Sequence, residues 1–419
     1  MIFYPQMFFL FFRYNRLHKD TFMKRKRAAH KKQRKNSQTV LLPLVKKVFR
    51  FIANLFWEPS LQTRRTTRKK NFRGEKTGIK SSPLGYILEK ASDNPIIAPR
   101  DENGWEAWQT FNPGAVLIGN DIHFLYRAVG NDGVSRLGYA VSRDGLTIDD
   151  RLTYPVYEHA ANGGPYVLYS YASGGSWGGA EDPRMVYMAD ENTLYMTYTA
   201  CASDGLRVGL TSISIQDFLD RNWQWNPPIL LSPPGQVHKN WVLFPEKIKG
   251  KYAVLHSINP TVSIATFDSF SANAPHIIPS TFGGYIPRRG AWDKWVRGAG
   301  PAPLKTKHGW LLLYHAMDND RSKYRVGAML LDLRNPAKIL HRASAPVLEP
   351  TEHYENNGSK SGVVYASATL VKDGTLFVYY GGADSYVCAA TADFDEFMSA
   401  LLKDKPPALK KQRMVRRKK

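Results

Sequence analysis

The sequence predicts an all-β fold, and more specifically a five-bladed β-propeller. Between residues 81 and 400, short apolar and aromatic runs alternate with Gly, Pro, Asn and Asp, and no long helical period interrupts them. One strand–turn–strand pattern recurs five times in this part of the chain. Because a unit of three or four strands cannot bury both of its faces alone, repeated units are expected to stack around a common axis.

Each copy of the repeat has an apolar strand, a polar turn that usually contains Gly, and an aromatic-rich strand. The copies span Phe111–Ala128, Glu181–Ala200, Leu243–Ser257, Gly298–Ala316 and Tyr365–Ala383. A third strand with small residues at alternate positions follows each copy and starts at Ser135, Leu206, Pro260, Tyr324 and Ser385. A β-sandwich array is the alternative, but it would not return one strand order five times. We expect Asn94–Pro99 to supply an outer strand that closes the ring.

Positive charge is concentrated at the two ends of the chain. The 419 residues include 58 Lys and Arg against 36 Asp and Glu, yet residues 81–400 hold 27 basic and 32 acidic residues. This distribution argues against a nucleic-acid-binding body. We interpret residues 1–80 as a basic extension, disordered or partly helical, residues 81–400 as the propeller domain, and residues 401–419 as a basic tail.

The N-terminal extension has features of a membrane-surface segment. Met1–Phe12 is apolar but shorter than the ~20 residues that span a bilayer, and no secretory cleavage site follows it. Val40–Trp57 has the composition of an interfacial amphipathic helix, with a solvated tail as the alternative. The basic ends therefore predict contact with an anionic membrane or a nucleic acid, and the sequence leaves homo-oligomerisation open.

Only two cysteines, Cys201 and Cys388, are present. They are too few for a disulfide framework, and neither has a partner at metal-ligand spacing. In strand-like runs a buried Cys acts as a small hydrophobe. The expected compartment is the cytoplasm, with the N-terminal extension able to attach peripherally to a membrane.

Polar residues stand near the first strand of several repeats, where the inner strands of a propeller converge on a channel mouth. The chain has no P-loop, GxSxG, HExxH or paired CxxC motif. The polar positions are Asn112, Glu181, Asp182, Lys239, Asn240, Asp293, Arg297 and Asp384. Each has a simpler interpretation as a turn or cap residue, because Asp and Asn before Pro initiate turns. For Asp182, the preceding Gly174–Gly179 segment and the stacking surface of Trp177 favour a ligand site.

Several longer motifs occur together and in order. They are FNPGAV, EDPR after a glycine-rich loop, KNWVLFPEKIKGKY, WDKWVRGAGPAPLKTKHGWLLLYHA, YRVGAMLLDL, PVLEP and YYGGAD. With these motifs, residues 84–398 resemble glycoside hydrolase family 130. The resemblance implies a five-bladed propeller that cleaves terminal β-mannosidic bonds of short mannosides with inversion. It implies phosphorolysis in most branches of the family and hydrolysis in some.

The resemblance also implies roles for individual residues. Asp182 of the EDPR motif is the implied general acid, acting through a sugar hydroxyl. The implied phosphate site consists of Lys239, Asn240, Arg297 and Tyr324. One arginine of the family's anion site is missing, because Ser257 stands in its place. Loss of one cation weakens the binding of a dianion by about 1.5–3 kcal/mol.

The remaining implied contacts concern the sugar and the reaction type. The implied sugar contacts are Asn112, Arg127, Arg136, Glu181, His315 and Asp384. Phosphorolysis needs one protein carboxylic acid because phosphate is the nucleophile, whereas hydrolysis needs a second carboxylate to activate water. The candidates for that base are Glu246 and Glu355. Specificity is expected to lie in the loops Tyr154–Trp177 and Ser269–Ala291.

Phosphorolysis that gives mannose 1-phosphate is the favoured reaction, because Lys239 and Arg297 are both present. Inorganic phosphate is then a co-substrate, and no metal or other cofactor is expected. The first alternative is an inverting β-mannosidase that needs no phosphate. The second, from another class of protein, is a propeller that binds sugars without cleaving them.

Overall fold

The computed structural model describes residues 88–159, 170–270, 276–280, 286–288, 290–317 and 321–404. The extension 1–80, the tail from residue 405 and parts of the two loops expected to set specificity lie outside these residues. The described chain is built mainly of β-strands, which confirms the predicted all-β class. No helix in these ranges is long and apolar enough to cross a membrane.

The described strands form four sheets, and a short first strand β1 (Glu89–Lys90) belongs to one of them. The largest sheet has eight strands and contains one parallel bridge, between Ser135 and Gly179. Dividing that sheet at the bridge gives five groups of antiparallel strands, which correspond to the predicted repeats. Group 1 contains β2 (Gln109–Ile118), β3 (Asp121–Val129), β4 (Ser135–Ser142) and β5 (Asp150–Arg151). Group 2 contains β6 (Gly179–Met188), β7 (Thr193–Ala202), β8 (Gly205–Ser214) and β9 (Ile229–Leu230). Group 3 contains β10 (Val242–Leu243), β11 (Tyr252–Ser257) and β12 (Ser263–Phe267).

Groups 4 and 5 complete the set. Group 4 contains β13 (Trp295–Ala299), β14 (Leu304–Thr306), β15 (Gly309–Met317), β16 (Tyr324–Leu331) and β17 (Ile339–Arg342). Group 5 contains β18 (Val364–Lys372), β19 (Thr375–Gly382) and β20 (Tyr386–Asp393). In group 5 the fourth strand comes from the other end of the chain, because β1 pairs with β20.

The outer strand of group 5 is not the one that the sequence predicts. Asn94–Pro99 was expected to form it, but the paired strand is Glu89–Lys90, opposite Ala390 and Thr391. Asn94–Pro99 contributes an isolated bridge between Ile97 and Val387. Both ends of this segment are interrupted by prolines, which lack the N–H that a strand ladder requires.

The helices are short and lie between strands. They are α1 (Ser170–Ser173), α2 (Ile215–Leu219), α3 (His353–Asn356) and α4 (Phe394–Lys403), with a 3₁₀ turn at Ala189–Glu191. Helix α4 begins at Asp393, whose side chain accepts from the Glu396 amide, and buries Phe397 and Leu401. It continues beyond residue 400, so the predicted boundary between body and tail falls inside a helix. Ten residues show too few turns for a clear helical period in the sequence.

Apolar side chains form five clusters, each shared by two strand groups. Four clusters lie between consecutive groups, and the fifth lies between groups 5 and 1. Representative pairs, in that order, are Leu125 with Met196, Val208 with Val254, Phe244 with Trp310, Leu313 with Val378, and Tyr379 with Phe124. Every group therefore buries both of its faces against neighbours, which accounts for strands that are apolar along most of their length.

A tyrosine of the second strand covers a glycine of the third strand in three of the groups. The register pairs are Tyr126 with Gly138, Tyr198 with Gly209, and Tyr314 with Gly327. A Cβ added at Gly138 would lie 2.3 Å from the Tyr126 ring, and the other two glycines are equally close to their tyrosines. In these three groups, the glycine of the third strand therefore makes room for an aromatic ring.

A buried acid, a tyrosine and a cation form a recurring set beside three of these strand groups. The sets are Glu106 with Tyr126 and Arg151, Asp293 with Tyr314 and Arg342, and Glu355 with Tyr380 and Lys90. The tyrosine hydroxyl donates to the acid at 2.7–2.8 Å, and the cation lies 2.5–2.8 Å from it. Each acid is at most 1% exposed. Buried carboxylates persist in proteins when a cation and hydrogen bonds compensate them in this way.

The glycine–tyrosine contact predicts a clear difference between two glycine substitutions. Gly138→Ala should lower the free energy of unfolding by about 1–3 kcal/mol, because the new methyl group overpacks a buried ring. Gly104→Ala is the matched control, since its Cβ would come no closer than 3.8 Å to any atom. Equilibrium urea denaturation measures both, and equal stabilities of the two variants would contradict this account.

Candidate active site

Asn112 and Asp182 occupy equivalent bulges in the first strands of groups 1 and 2. Each precedes a proline and has a positive φ, 45° at Asn112 and 50° at Asp182, and the pairing register shifts at both places. Asn112 Nδ2 donates to Asp182 Oδ1 at 2.8 Å. The Asx-Pro pairs, interpretable from sequence as turn residues, therefore bulge their strands and bring the two side chains together.

Asp182 is an ionised carboxylate in this site. It is 3% exposed, and Arg127 Nη1 donates to its Oδ1 at 3.2 Å. Burial by itself would raise the pKa of Asp182, but the charges of Arg127, Lys239 and Arg184 and the Asn112 hydrogen bond lower it to about 2. A proton donor with this pKa needs an added negative charge nearby before it can hold its proton.

Arg127 holds the site together and has no donor left for a sugar. Its guanidinium is 1% exposed, and Nε donates to Ser135 Oγ at 3.0 Å. Nη1 donates to Asp182 and to the Ser173 carbonyl, and Nη2 donates to the hydroxyls of Ser173 and Ser176. An arginine has five N–H groups, and all five are used by protein acceptors. The predicted sugar contact of Arg127 stays a prediction, and these bonds give it no support.

Both carboxylate oxygens of Glu181 accept hydrogen bonds from protein donors. Its Oε1 accepts from the hydroxyls of Ser173 and Ser176 at 2.6 and 2.7 Å, and its Oε2 accepts from Lys239 at 3.1 Å. Its side chain is fully buried. These bonds tie the glycine-rich segment to β6, so Glu181 positions that segment. The predicted sugar contact of Glu181 stays a prediction.

Four of the predicted phosphate-site residues lie close to one another. Lys239 reaches the Ser173 carbonyl and Glu181, and the next residue, Asn240, has a positive φ of 64°. A Cβ at Gly298 would touch the Asn240 side chain at 2.8 Å, which places the neighbouring Arg297 beside Asn240. Arg297 Nε donates to the Tyr324 hydroxyl at 2.7 Å. Residues from groups 3 and 4 thus form one basic and amide-rich surface.

Arg184 links the strand groups around Asp182 and was not among the predicted site residues. Nε donates to the Gly300 carbonyl at 2.8 Å, and Nη1 donates to the Asp182 carbonyl at 2.6 Å. Nη2 donates to Asn240 Oδ1 and to the Tyr365 hydroxyl, both at 3.0 Å. Its position in the EDPR motif could have identified Arg184 from the sequence. A charged side chain on an inner strand is buried and needs polar partners, so an arginine at this position is expected to bind groups around Asp182.

His315 presents a hydrogen-bond acceptor. Its ring stacks on Tyr365 with centroids 3.9 Å apart. Nε2 lies 2.7 Å from the Ala366 carbonyl and must carry the proton, which leaves Nδ1 as a buried lone pair with no partner among the described residues. Burial, and then the charge of Arg184, lowers the pKa of His315 to about 3. A neutral imidazole of this kind accepts from a hydroxyl, as the predicted sugar contact requires.

Asp384 lies at the same site, on the far side of the glycine-rich segment. It is 7% exposed and has a φ of 49°. A Cβ at Gly174 would lie 3.6 Å from Asp384 Oδ2 and 4.0 Å from Arg127 Nη1. Burial raises the pKa of Asp384, the charges of Lys360 and Arg127 oppose the shift, and Asp182 adds to it. These distances leave room for a Cβ, and it is the φ of 91° at Gly174 that favours glycine at this position.

Four residues named from the sequence have partners outside this cluster. Arg136 pairs with Asp132 and Glu158 at 2.7 and 3.1 Å and alternates along β4 with Ser135, so it points away from Arg127. The exposed Glu246 pairs with Lys305, and Ser257 bonds to the backbone of Asn259. Glu355 belongs to the buried set with Tyr380 and Lys90. Neither predicted base is therefore brought to Asp182.

The family follows from the match of the whole strand-rich region. A model of glycoside hydrolase family 130, described as beta-1,4-mannooligosaccharide phosphorylase, matches residues 90–403. The chain belongs to glycoside hydrolase family 130. The resemblance of the sequence motifs is confirmed, and the protein is a carbohydrate-active enzyme of this family.

Relatives of this family 130 chain match it over most of their length. The 1,2-beta-oligomannan phosphorylase of Thermoanaerobacter sp. (strain X514) is 36% identical, covering 74% of this chain and 98% of that protein. The beta-1,2-mannobiose phosphorylase of the same organism is 32% identical over the same shares. The structure of the Listeria innocua beta-1,2-mannobiose phosphorylase with β-1,2-mannobiose matches with a TM-score of 0.57 at 24% identity, covering 75% of this chain and 99% of that one. This last likeness concerns the fold.

The compensation of two buried carboxylates by Arg127 predicts a large stability effect. Arg127→Met should lower the free energy of unfolding by about 3–5 kcal/mol, because it leaves Glu181 and Asp182 without their common counter-ion. Arg143→Met, which breaks the exposed pair with Asp149, is the matched control and should change stability little. Urea denaturation at neutral pH compares them, and similar losses in both variants would refute the central role of Arg127.

The lowered pKa of Asp182 predicts a pH-dependent part of the stability. The folded pKa of about 2 lies below the ordinary 3.8, so this stabilisation is present above pH 3.8 and is lost as the pH falls toward 2. Asp182→Asn should lack this component, and its difference in unfolding free energy from the wild type should shrink over that window. Asp190→Asn, in the exposed 3₁₀ turn, is the control. A difference independent of pH would contradict the assignment.

Proposed function

We propose that this family 130 enzyme is an inverting β-mannoside phosphorylase. It transfers the terminal mannosyl group of a short β-1,2-mannoside to inorganic phosphate and releases mannose 1-phosphate. The two Thermoanaerobacter relatives, named as phosphorylases of β-1,2-linked mannosides, support the reaction and the linkage. Inorganic phosphate is the co-substrate, and the proposal involves no metal.

The observation that carries the proposal is one buried carboxylate beside a basic surface. Asp182 lies next to Arg184, and Arg184 shares Asn240 with the surface that contains Lys239 and Arg297. An enzyme that uses phosphate as nucleophile needs one protein acid and a site for a dianion. The proposal assigns the first role to Asp182 and the second to the basic surface beside it.

The charges of the site couple phosphate binding to protonation of the acid. Without ligand, Arg127, Lys239 and Arg184 keep Asp182 ionised. A phosphate bound beside Lys239 and Arg297 adds negative charge and offsets part of this positive potential, so the pKa of Asp182 rises. Asp182 then holds the proton that the leaving sugar needs, and it does so when the nucleophile is in place.

The displacement is a single step. A phosphate oxygen forms a bond to the anomeric carbon while the bond from that carbon to the bridging oxygen breaks. The bridging oxygen keeps the electron pair of that bond and takes up a proton that originates from Asp182 and passes through a sugar hydroxyl. One displacement inverts the anomeric centre. His315 Nδ1 is placed to accept from a substrate hydroxyl and so to orient the sugar.

The hydrolytic alternative would need a second carboxylate. Glu246 and Glu355 pair with residues outside the site, and Glu181 is saturated by Ser173, Ser176 and Lys239. Among the residues that the structure describes, Asp384 is the other carboxyl group beside Asp182. If the enzyme hydrolyses mannosides, Asp384 is therefore the residue to test as the base.

The fold belonging to this proposal is a five-bladed propeller whose blades are the five strand groups. The apolar cluster between groups 5 and 1 supports ring closure, as does the pairing of β1 with β20. Arg184 of group 2 reaches residues at the first strands of groups 3, 4 and 5, and Asp182 reaches Asn112 of group 1. First strands that converge on one point are the arrangement that a propeller gives.

The proposed reaction is tested by turnover of β-1,2- and β-1,4-mannobiose with and without phosphate, with mannose 1-phosphate and free mannose measured separately. We expect phosphate-dependent mannose 1-phosphate from the β-1,2-linked sugar. Asp182→Asn should lower kcat by about 10²–10⁴-fold, the usual contribution of a general acid, and Asp190→Asn should not. Free mannose formed without phosphate would favour hydrolysis, and an active Asp182→Asn enzyme would remove the proposed acid.

A further inference from the structure

Two cations from different strand groups converge on the ring of Tyr324. Arg297 of β13 donates to the Tyr324 hydroxyl at 2.7 Å, and its guanidinium carbon lies 5.7 Å from the ring centroid. Lys360, from the segment between α3 and β18, places Nζ 5.0 Å from the same centroid. Both positions are within the range of cation–π attraction, so one tyrosine ring holds two positive charges at the site.

The backbone that carries Lys360 is fixed against the active site. The Lys360 amide donates to the Ala383 carbonyl at 2.9 Å, directly before Asp384, and the Ser359 amide donates to Ser385 Oγ at 2.8 Å. Two residues further on, Gly362 is bound to the Glu355 carbonyl at 3.1 Å. The Lys360 side chain itself is exposed. A fixed backbone with an exposed ammonium group is suited to meeting a ligand from solution.

The inner cations of the site are shared with protein carboxylates, and the charge of Lys360 acts on the carboxyl group of Asp384. Arg127 contacts Glu181 and Asp182 at 3.4 and 3.2 Å, and Lys239 contacts Glu181 at 3.1 Å. A phosphate dianion therefore meets a potential already reduced by these carboxylates.

We propose that Lys360 is a phosphate-binding residue, and that its ammonium group and the guanidinium of Arg297 together hold the phosphate co-substrate at Tyr324. This inference rests on the proposed phosphorylase function. The flexible four-carbon stem of lysine lets the ammonium follow the phosphate as a point charge. Arg297 belongs to group 4, and Lys360 lies in the segment that leads into group 5. A phosphate bound to both side chains would therefore connect these two strand groups.

The test separates the kinetic constants of the two substrates in Lys360→Gln, Lys360→Arg and the wild type. Lys360→Gln should raise KM for phosphate about tenfold, the effect of one charge-assisted hydrogen bond, with kcat and KM for β-1,2-mannobiose changed less than about twofold. Lys360→Arg should recover most of the phosphate affinity. Lys307→Gln is the matched control, because Lys307 is exposed in the turn before β15, at the end of that strand opposite His315.

A second measurement keeps this inference separate from the proposed reaction. Inorganic phosphate should raise the melting temperature of the wild type and of Lys307→Gln, and should raise that of Lys360→Gln less at the same concentration. If the wild type hydrolyses mannosides without phosphate, the proposed function fails, and the melting shift still decides whether Lys360 binds phosphate. An unchanged KM for phosphate in Lys360→Gln, an equal rise in both KM values, or an equal melting shift would each overturn the assignment.

Discussion

The buried guanidinium of Arg127 is the interaction on which the rest of the site depends. It compensates Glu181 and Asp182 at a place where an unpaired charge would cost several kcal/mol. Through Ser173 and Ser176 it also holds the glycine-rich segment against β6. The acid, the segment beside it and the neighbouring β-strand are therefore positioned by one cation that comes from a different strand group.

The same cation sets the chemistry. Arg127, Lys239 and Arg184 stabilise the ionised form of Asp182, which is the wrong form for a proton donor. In the proposed mechanism, the negative charge of bound phosphate offsets the same cations. Asp182 then takes up its proton only when the nucleophile is bound. The serine at 257 contributes no charge, since its hydroxyl bonds to the Asn259 backbone.

The recurring buried acid explains why an acidic residue near the site need not be catalytic. Glu355 was a reasonable candidate for a base, but it occupies the place in group 5 that Glu106 and Asp293 occupy beside groups 1 and 4. Each of these acids receives a tyrosine hydroxyl and a cation in a dry interior, and this makes it a structural counter-ion. Comparison between repeats of the same chain therefore separates structural acids from Asp182, which has no such tyrosine partner among the described residues.

The sequence by itself determined the β-strand class and the family, and it singled out Asp182 as the candidate acid. These follow from local patterns, namely apolar runs, turn residues and contiguous motifs such as EDPR. The tertiary structure decided which polar residues meet. Apart from Ser135 and the Asp182 carbonyl, the acceptors that bind Arg127 and Arg184 respectively lie 46 to 181 positions away in the chain, a separation that no local pattern encodes. Whether a charged side chain faces substrate or protein depends on donors and acceptors that only folding brings within hydrogen-bonding distance.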